Sequence, residues 1–205
     1  MILDFNKMIE KYSIQLKGVL HVGAHYGQEY DLYKQFDIPV IFFEPTPSSF
    51  RILESKVGDD INIECYQCAL GNVNGKIDMN VEVVNQGQSS SILKPKKHLQ
   101  QYPHITFNQI QEVAIFRLED LIIDFPKYNF MNIDVQGYEL EVLKGASGVL
   151  PDIDYIISEV NCDEVYEGCP DVSELDSFLS SFGFVRVETD WAGGIWGDAL
   201  YIKNK

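Results

Sequence analysis

Three short stretches hold the residue types that bind ligands and move protons. They are the glycine turn Val22-Gly23-Ala24-His25-Tyr26-Gly27-Gln28, the acidic step Phe43-Glu44-Pro45, and the run Asn132-Ile133-Asp134-Val135-Gln136-Gly137-Tyr138-Glu139. Glycines permit a tight turn and let a ligand approach the backbone closely. A G-x-x-x-G turn by itself suits packing as readily as binding, but Glu44 lies 21 positions beyond Gly23. At that distance an acidic side chain can accept both ribose hydroxyls of an adenosine. Asp134 closes an apolar run, at the edge where open α/β sheets bind their ligands.

The elements that must position these residues are legible as apolar, β-branched runs at 18–22, 39–43, 61–70, 128–135 and 155–160, separated by helical patterns or Gly/Pro turns. Val40-Ile41-Phe42-Phe43 is apolar on both faces, as a central strand of a parallel sheet covered by helices must be. Helices are expected over 28–36, from Pro47 through Val57, after Gly137 as far as Gly145, and over 171–182, where Leu175, Phe178, Leu179 and Phe182 form an apolar stripe. Strands at 184–188 and 199–203 are joined by too few residues for a helical crossover, so they are expected to be antiparallel. Residues 76–84 read as an added strand and 85–104 as a polar loop long enough to be a lid or substrate loop. The fold class is therefore α/β, a Rossmann-like three-layer sandwich whose mostly parallel sheet ends in an antiparallel strand.

With 205 residues, 45% hydrophobic and 12% aromatic, the chain suits one domain. Its 16 Lys and Arg against 31 Asp and Glu leave a net charge of -15, a field that repels nucleic acid. No apolar run approaches the roughly 20 residues of a membrane span, and residues 1–12 do not read as a signal peptide. Four cysteines fit a reducing compartment, so a cytoplasmic protein is expected. Cys65-x-x-Cys68 with Cys162 and Cys169 has the composition of a zinc site, but the first pair lies in a strand-like run, and four free thiols are the plainer reading.

The chain resembles the FkbM family of methyltransferases. The resemblance rests on Ile133-Asp134-Val135-Gln136-Gly137-Tyr138-Glu139 followed by Leu143-Lys144-Gly145-Ala146. It extends to the Gly23 turn, Phe43-Glu44-Pro45, Ala69-Leu70-Gly71, Ser89-Ser90-Ser91 and Trp196-Gly197-Asp198-Ala199-Leu200, spanning about residues 18–203. Two departures stand out: Asn132 occupies a position where many members have Lys, and Gln136 replaces the commoner Glu.

The resemblance implies a class I fold and S-adenosyl-L-methionine as cofactor. Gly23, Ala24, His25 and Gly27 would surround its methionine part, Glu44 and Pro45 the ribose, Ala69 and Leu70 the adenine, and Asp134 with Val135 the sulfonium region. It further implies O-methylation of a sugar, glycan or secondary metabolite. If the last strand is antiparallel, Asp198 joins Asp134, Glu159 and Asn161 around one crevice, with Trp191 and Trp196 at its rim. Asn161, the two tryptophans, Ser90 and Ser91 are the expected substrate contacts. A hydroxyl acceptor needs a general base, for which Asp134, Glu159, Asp198 and His25 are the candidates and His21, inside the first strand, is not. No metal site is assigned, although those three acids could gather around a divalent ion. The expected partner is a small-molecule or glycan acceptor, and a homodimer is left open.

Two other readings compete. A nicotinamide-dependent oxidoreductase would share the glycine turn and Glu44, and Tyr30-x-x-x-Lys34 resembles its proton relay, but that pair falls in the first crossover helix. A non-catalytic binding subunit of the same fold would show decay of the turn or of the strand-end acids.

Overall fold

In a computed structural model, which describes residues 1–192 and 194–204, the chain runs in the following order. It begins α1 (Phe5–Lys11), β1 (Val19–Val22), α2 (Tyr30–Lys34), β2 (Val40–Phe43), α3 (Pro47–Val57), β3 (Ile63–Tyr66), β4 (Ala69–Leu70) and β5 (Gly75–Val81). It continues α4 (His98–Gln101), β6 (Gln109–Phe116), β7 (Phe130–Ile133), α5 (Glu139–Gly145), β8 (Tyr155–Asn161), α6 (Val172–Ser180), β9 (Phe184–Ala192) and β10 (Trp196–Lys203). Seven strands form one sheet in the order β3-β2-β1-β7-β8-β10-β9. The first five are parallel, and β10 runs antiparallel to both of its neighbours.

Both faces of the central strands are buried, and alternation sorts their side chains into two cores. Leu20, Val22, Ile41, Phe43, Met131 and Ile133 face the layer containing α5 and α6, joined by Val142, Leu143, Leu175 and Leu179. Val19, Val40, Phe42 and Phe130 face the layer of α1, α2 and α3, joined by Phe5, Tyr33 and Leu53. His21 and Asn132 sit on this second face, where apolar neighbours leave their polar atoms to find each other.

Two sequence expectations need correction. The run 61–70 is not one strand: at Cys68, whose N–H donates to the Tyr66 carbonyl, the chain turns, and Ala69–Leu70 leaves the main sheet. There it joins a second sheet, β4-β6-β5, whose middle strand the sequence pattern did not announce. Of the eight residues in β6 only Val113 and Ile115 are buried, too weak an alternation to read. The small sheet packs on α5 through Ala69, Met79, Val113, Ile115 and Tyr138. Contact is close enough that a Cβ on Gly145 would lie 1.8 Å from the Gly71 carbonyl oxygen.

The second correction concerns 85–104, which is not a bare loop. It contains α4, and its 94–98 portion pairs with the β8–α6 connection through Lys96 N–H to Val165 O, Glu167 N–H to Lys94 O and an antiparallel bridge between Pro95 and Tyr166. Lys96 pairs with Glu164 and Lys97 with Asp163. The final strands are longer than expected and their connection is confined to 193–195.

Candidate active site

A cavity of about 760 Å³ opens at the carboxyl ends of β1, β2 and β7, within the size range of small-molecule sites. One end is built on the glycine turn. Gly23 has φ +83°, and a Cβ there would lie 1.8 Å from the Asp134 carbonyl oxygen, so only glycine allows β1 and β7 to end side by side. Gly23 and Ala24 both donate N–H to the Phe43 carbonyl, tying the turn to the end of β2. Glu44 completes the join. Its carboxylate accepts the His25 N–H at 2.9 Å, the Thr46 N–H at 2.8 Å and the Thr46 hydroxyl, while burial pushes its pKa up. A 5% exposed carboxylate held at the cavity wall keeps a lone pair free on Oε2 for a hydroxyl.

Across the sheet edge stands a row of acids. Asp134, Glu159 and Asp198 all line the cavity, and β8–β10 pairing sets Glu159 directly opposite Asp198. Like charges this close would repel, and Gln136 bridges Asp134 and Glu159. Its Nε2 donates to Asp134 Oδ1 at 2.8 Å and to Glu159 Oε2 at 2.6 Å, while its Oε1 accepts the Tyr166 hydroxyl at 2.9 Å. Burial first, and the Asp134 charge second, push the Glu159 pKa far up, which favours its protonated form. Burial also raises Asp198, whose Oδ2 accepts the backbone N–H groups of Ile2 and Leu3. Gln136 holds its position at φ +57° because Glu139 folds back beneath it, with Oε1 accepting N–H from Val135 and Gly137. Glu139 is wholly buried, and burial raises its pKa to about 7.

The far wall comes from segments the sequence showed as loop. His98, Tyr102, His104 and Ile105 line the cavity together with Val165 and Trp196, and the Trp196 indole N–H donates to the Tyr102 hydroxyl at 3.2 Å. Between the two ends lies the stretch after β5, folded by Glu82, which accepts N–H from Val84, Asn85 and Gly87. The stacked rings of His25 and Tyr26 both donate to the Gln86 carbonyl, pinning this stretch over the glycine turn.

Gly23, His25, Glu44, Pro45, Ala69, Leu70, Asp134, Val135, Glu159, Asp198, Ser90 and Trp196 all line this cavity. The remaining expected residues stand off its wall. Ala24 is buried in the second core and Gly27 packs on Leu53. The Ser91 hydroxyl donates to the Gln136 carbonyl. Trp191 is 41% exposed on β9, facing away because it pairs with Gly197 rather than with an inward residue. Asn161 is 1% exposed beside Trp196. His25 is a poor base here: Nε2 donates to Gln86 and Nδ1 accepts from Gln28. His21 is buried and bonded to Tyr33 and Asn132, as a core histidine would be, although its edge reaches the cavity floor. Asn132 thus meets the neutral partners Tyr33 and His21. Tyr30 and Lys34 lie off the cavity, Tyr30 donating to Asp60. Sequence reasoning missed Gln136, Glu139, Thr46, Tyr166 and the α4 wall. Gln136 and Glu139 were in plain view in the motif, whereas α4 has no periodic signal.

Among the described residues no group of three or more His, Cys, Asp or Glu gathers as a metal site. The residues present fit S-adenosyl-L-methionine: a side-chain-free turn at Gly23, the buried Glu44 carboxylate at the end of β2, and acids at the sheet edge that can complement a positive charge.

A parallel sheet closed by a reversed strand, with this cavity at its carboxyl edge, defines a class I methyltransferase. The Methyltransferase FkbM domain profile matches residues 21–186, and the chain belongs to that family. It is an S-adenosylmethionine-dependent methyltransferase. It is 26% identical to the 2-O-methyltransferase NoeI of Sinorhizobium fredii (strain NBRC 101917 / NGR234), over 91% of this chain and 79% of that protein. It is also 26% identical to Methyltransferase 1 of Beauveria bassiana (strain ARSEF 2860), over 85% of this chain and 75% of the relative. A SAM-dependent methyltransferase structure from Aquifex aeolicus superposes with a TM-score of 0.51 at 12% identity, covering 98% of this chain and 90% of the other, a likeness of fold.

Proposed function

We propose that this chain methylates a hydroxyl group of a sugar, glycan or hydroxylated secondary metabolite. The observation behind this reading is that the bonded Trp196–Tyr102 pair lines the same cavity as the acids Glu159 and Asp198. Aromatic faces beside acids and amides suit a polyol ring, and the relative named a 2-O-methyltransferase agrees with an oxygen acceptor.

In this reading Gly23 and His25 cradle the methionine part, Glu44 with Pro45 holds the ribose, Ala69 and Leu70 flank the adenine, and Asp134 and Val135 border the sulfonium. When bound, the cofactor supplies an electrophilic methyl group. The chain's own residues then align the acceptor, exclude water and receive its proton. Ser90, Asn161 and Trp196 belong to the acceptor side. We further take residues 1–205 as one catalytic domain acting in the cytoplasm on a small-molecule or glycan acceptor. No helix among the described residues is long and apolar enough to cross a membrane.

The first test is calorimetric titration with S-adenosylhomocysteine, with NAD as control, followed by a screen of hydroxylated acceptors. Micromolar binding of the former alone and transfer to oxygen are expected. Transfer only to nitrogen or carbon acceptors would overturn the proposal.

A further inference from the structure

His98 is 4% exposed, yet it lines the same cavity as Gly23 and Asp134, and its Nδ1 is buried without a hydrogen-bond partner. An imidazole nitrogen left unpaired in an interior is costly, and such groups mark places where a partner is missing. The ring is held by packing alone, tilted against Tyr102 at 5.2 Å and Tyr166 at 5.5 Å and edge-on to Phe107 at 5.4 Å. Asn161, on the adjoining strand end beside Trp196, likewise has both amide atoms buried and unpartnered. Of these two unsatisfied side chains only His98 lines the cavity, beside the Trp196–Tyr102 pair, where a hydroxyl-rich ring could reach it.

The other candidate bases are engaged elsewhere, and Asp134, bonded to Gln136 through Oδ1, is the residue placed beside the sulfonium rather than the acceptor in the proposed reading. Glu159 favours its protonated form and shares Gln136 with Asp134, Asp198 holds two backbone N–H groups, and both nitrogens of His25 are engaged.

From this geometry, and resting on the hydroxyl-methylation reading, we infer that His98 is the catalytic base, taking the proton of a hydroxylated ring acceptor. The acceptor oxygen forms the new bond to the methyl carbon as the carbon–sulfur bond breaks, and that bond's electron pair stays on sulfur. The acceptor proton passes to the His98 imidazole, which returns it to solvent once the methyl ether leaves. Burial supports the role by lowering the His98 pKa, which keeps the ring neutral at physiological pH. The titratable groups around it are Glu82, which opposes that shift, His104, which adds to it, and the Tyr102 and Tyr166 hydroxyls.

The test uses the full chain, tritiated S-adenosylmethionine and a panel of methyl glycosides of hexoses and deoxyhexoses. For His98→Gln, kcat is expected to fall by about 10²- to 10⁴-fold while S-adenosylhomocysteine affinity stays within about threefold of wild type. In the unmodified protein, the acid limb of log kcat against pH should coincide with the His98 imidazole titration followed by NMR, below 6.5. Wild-type kcat in the variant, an imidazole that titrates away from the kinetic limb, or a panel that the wild type leaves untouched each overturns the inference. The NMR and pH-profile arm applies even if the variant fails to fold. Failure of the wild type to bind S-adenosylhomocysteine removes the broader functional reading and this one together, whereas an active, unaffected His98→Gln removes this one alone.

Discussion

At the glycine-turn end of the cavity Glu44 holds three donors, Gly23 and Ala24 share the Phe43 carbonyl, and His25 spends both ring nitrogens on its neighbours. At the opposite end, His98 lines the wall with its Nδ1 buried and unbonded, and just off the wall both amide atoms of Asn161 are buried and unbonded as well. The first end is complete before any ligand arrives, and its geometry is written into backbone contacts. The second is built from side chains whose hydrogen bonds await something else. A constant ligand favours the first arrangement, because preorganised groups lose little on binding. A chosen acceptor suits the second, because discrimination comes from groups left unpaired when the wrong molecule binds.

The largest expected break in this contrast is Gly23→Ala. With φ +83° and a Cβ placed 1.8 Å from a backbone oxygen, β1 and β7 must part, lowering stability by about 3 kcal/mol or more and removing S-adenosylhomocysteine binding in titration calorimetry. An alanine variant that binds normally would show that the turn is looser than its contacts imply.

Gln136→Glu should come next. It places a third carboxylate where an amide now donates to two, at a cost of about 2–4 kcal/mol in urea unfolding at pH 8. The loss should shrink at pH 5, where a protonated Glu can donate again. A pH-independent loss would mean that shape, not charge, sets the position.

Glu44→Ala tests the first end without touching the second. Loss of charged hydrogen bonds should weaken S-adenosylhomocysteine by about 3 kcal/mol, with acceptor KM little changed. Unchanged affinity would take Glu44 out of the ribose role.

The smallest effect concerns Glu139. Its folded pKa, about 7, lies above the ordinary 4.5, so its contribution is fully present below 4.5 and is lost as pH rises through 7. The shift is shared with Glu159, which slopes the same way. Glu139→Gln should flatten stability between pH 5 and pH 8, as read by urea melts, and an unaltered slope would assign it to Glu159 alone.

What could be read beforehand divides along the same line. The first end was legible because its requirements are local and leave characteristic residues: glycine where φ is positive, an acid a fixed distance on, and apolar runs buried on both faces. The reversed final strand followed from the short connection before it, whereas the strand order came only with the fold. The small sheet and α4 were not legible, since β6 buries only Val113 and Ile115 and α4 is a single turn stabilised by distant partners. Nor did spacing show that Trp191 would face outward, which depends on its register with Gly197 across a turn shorter than expected. Gln136 was read as a departure from a pattern, and its role as a bridge emerged only when Asp134 and Glu159 were seen 2.8 and 2.6 Å from one amide nitrogen.

The seam between 94–98 and 163–167 gives the molecule a mechanical division of labour. Lys96–Glu164, Lys97–Asp163 and the backbone bonds beside them suspend α4 from the β8–α6 connection, and none of them touches the glycine turn. The chain between that seam and β6 can therefore be lengthened, shortened or exchanged as a cassette while the glycine turn stays in register. A protein engineer seeking a new acceptor would graft residues 99–107 and leave the rest alone.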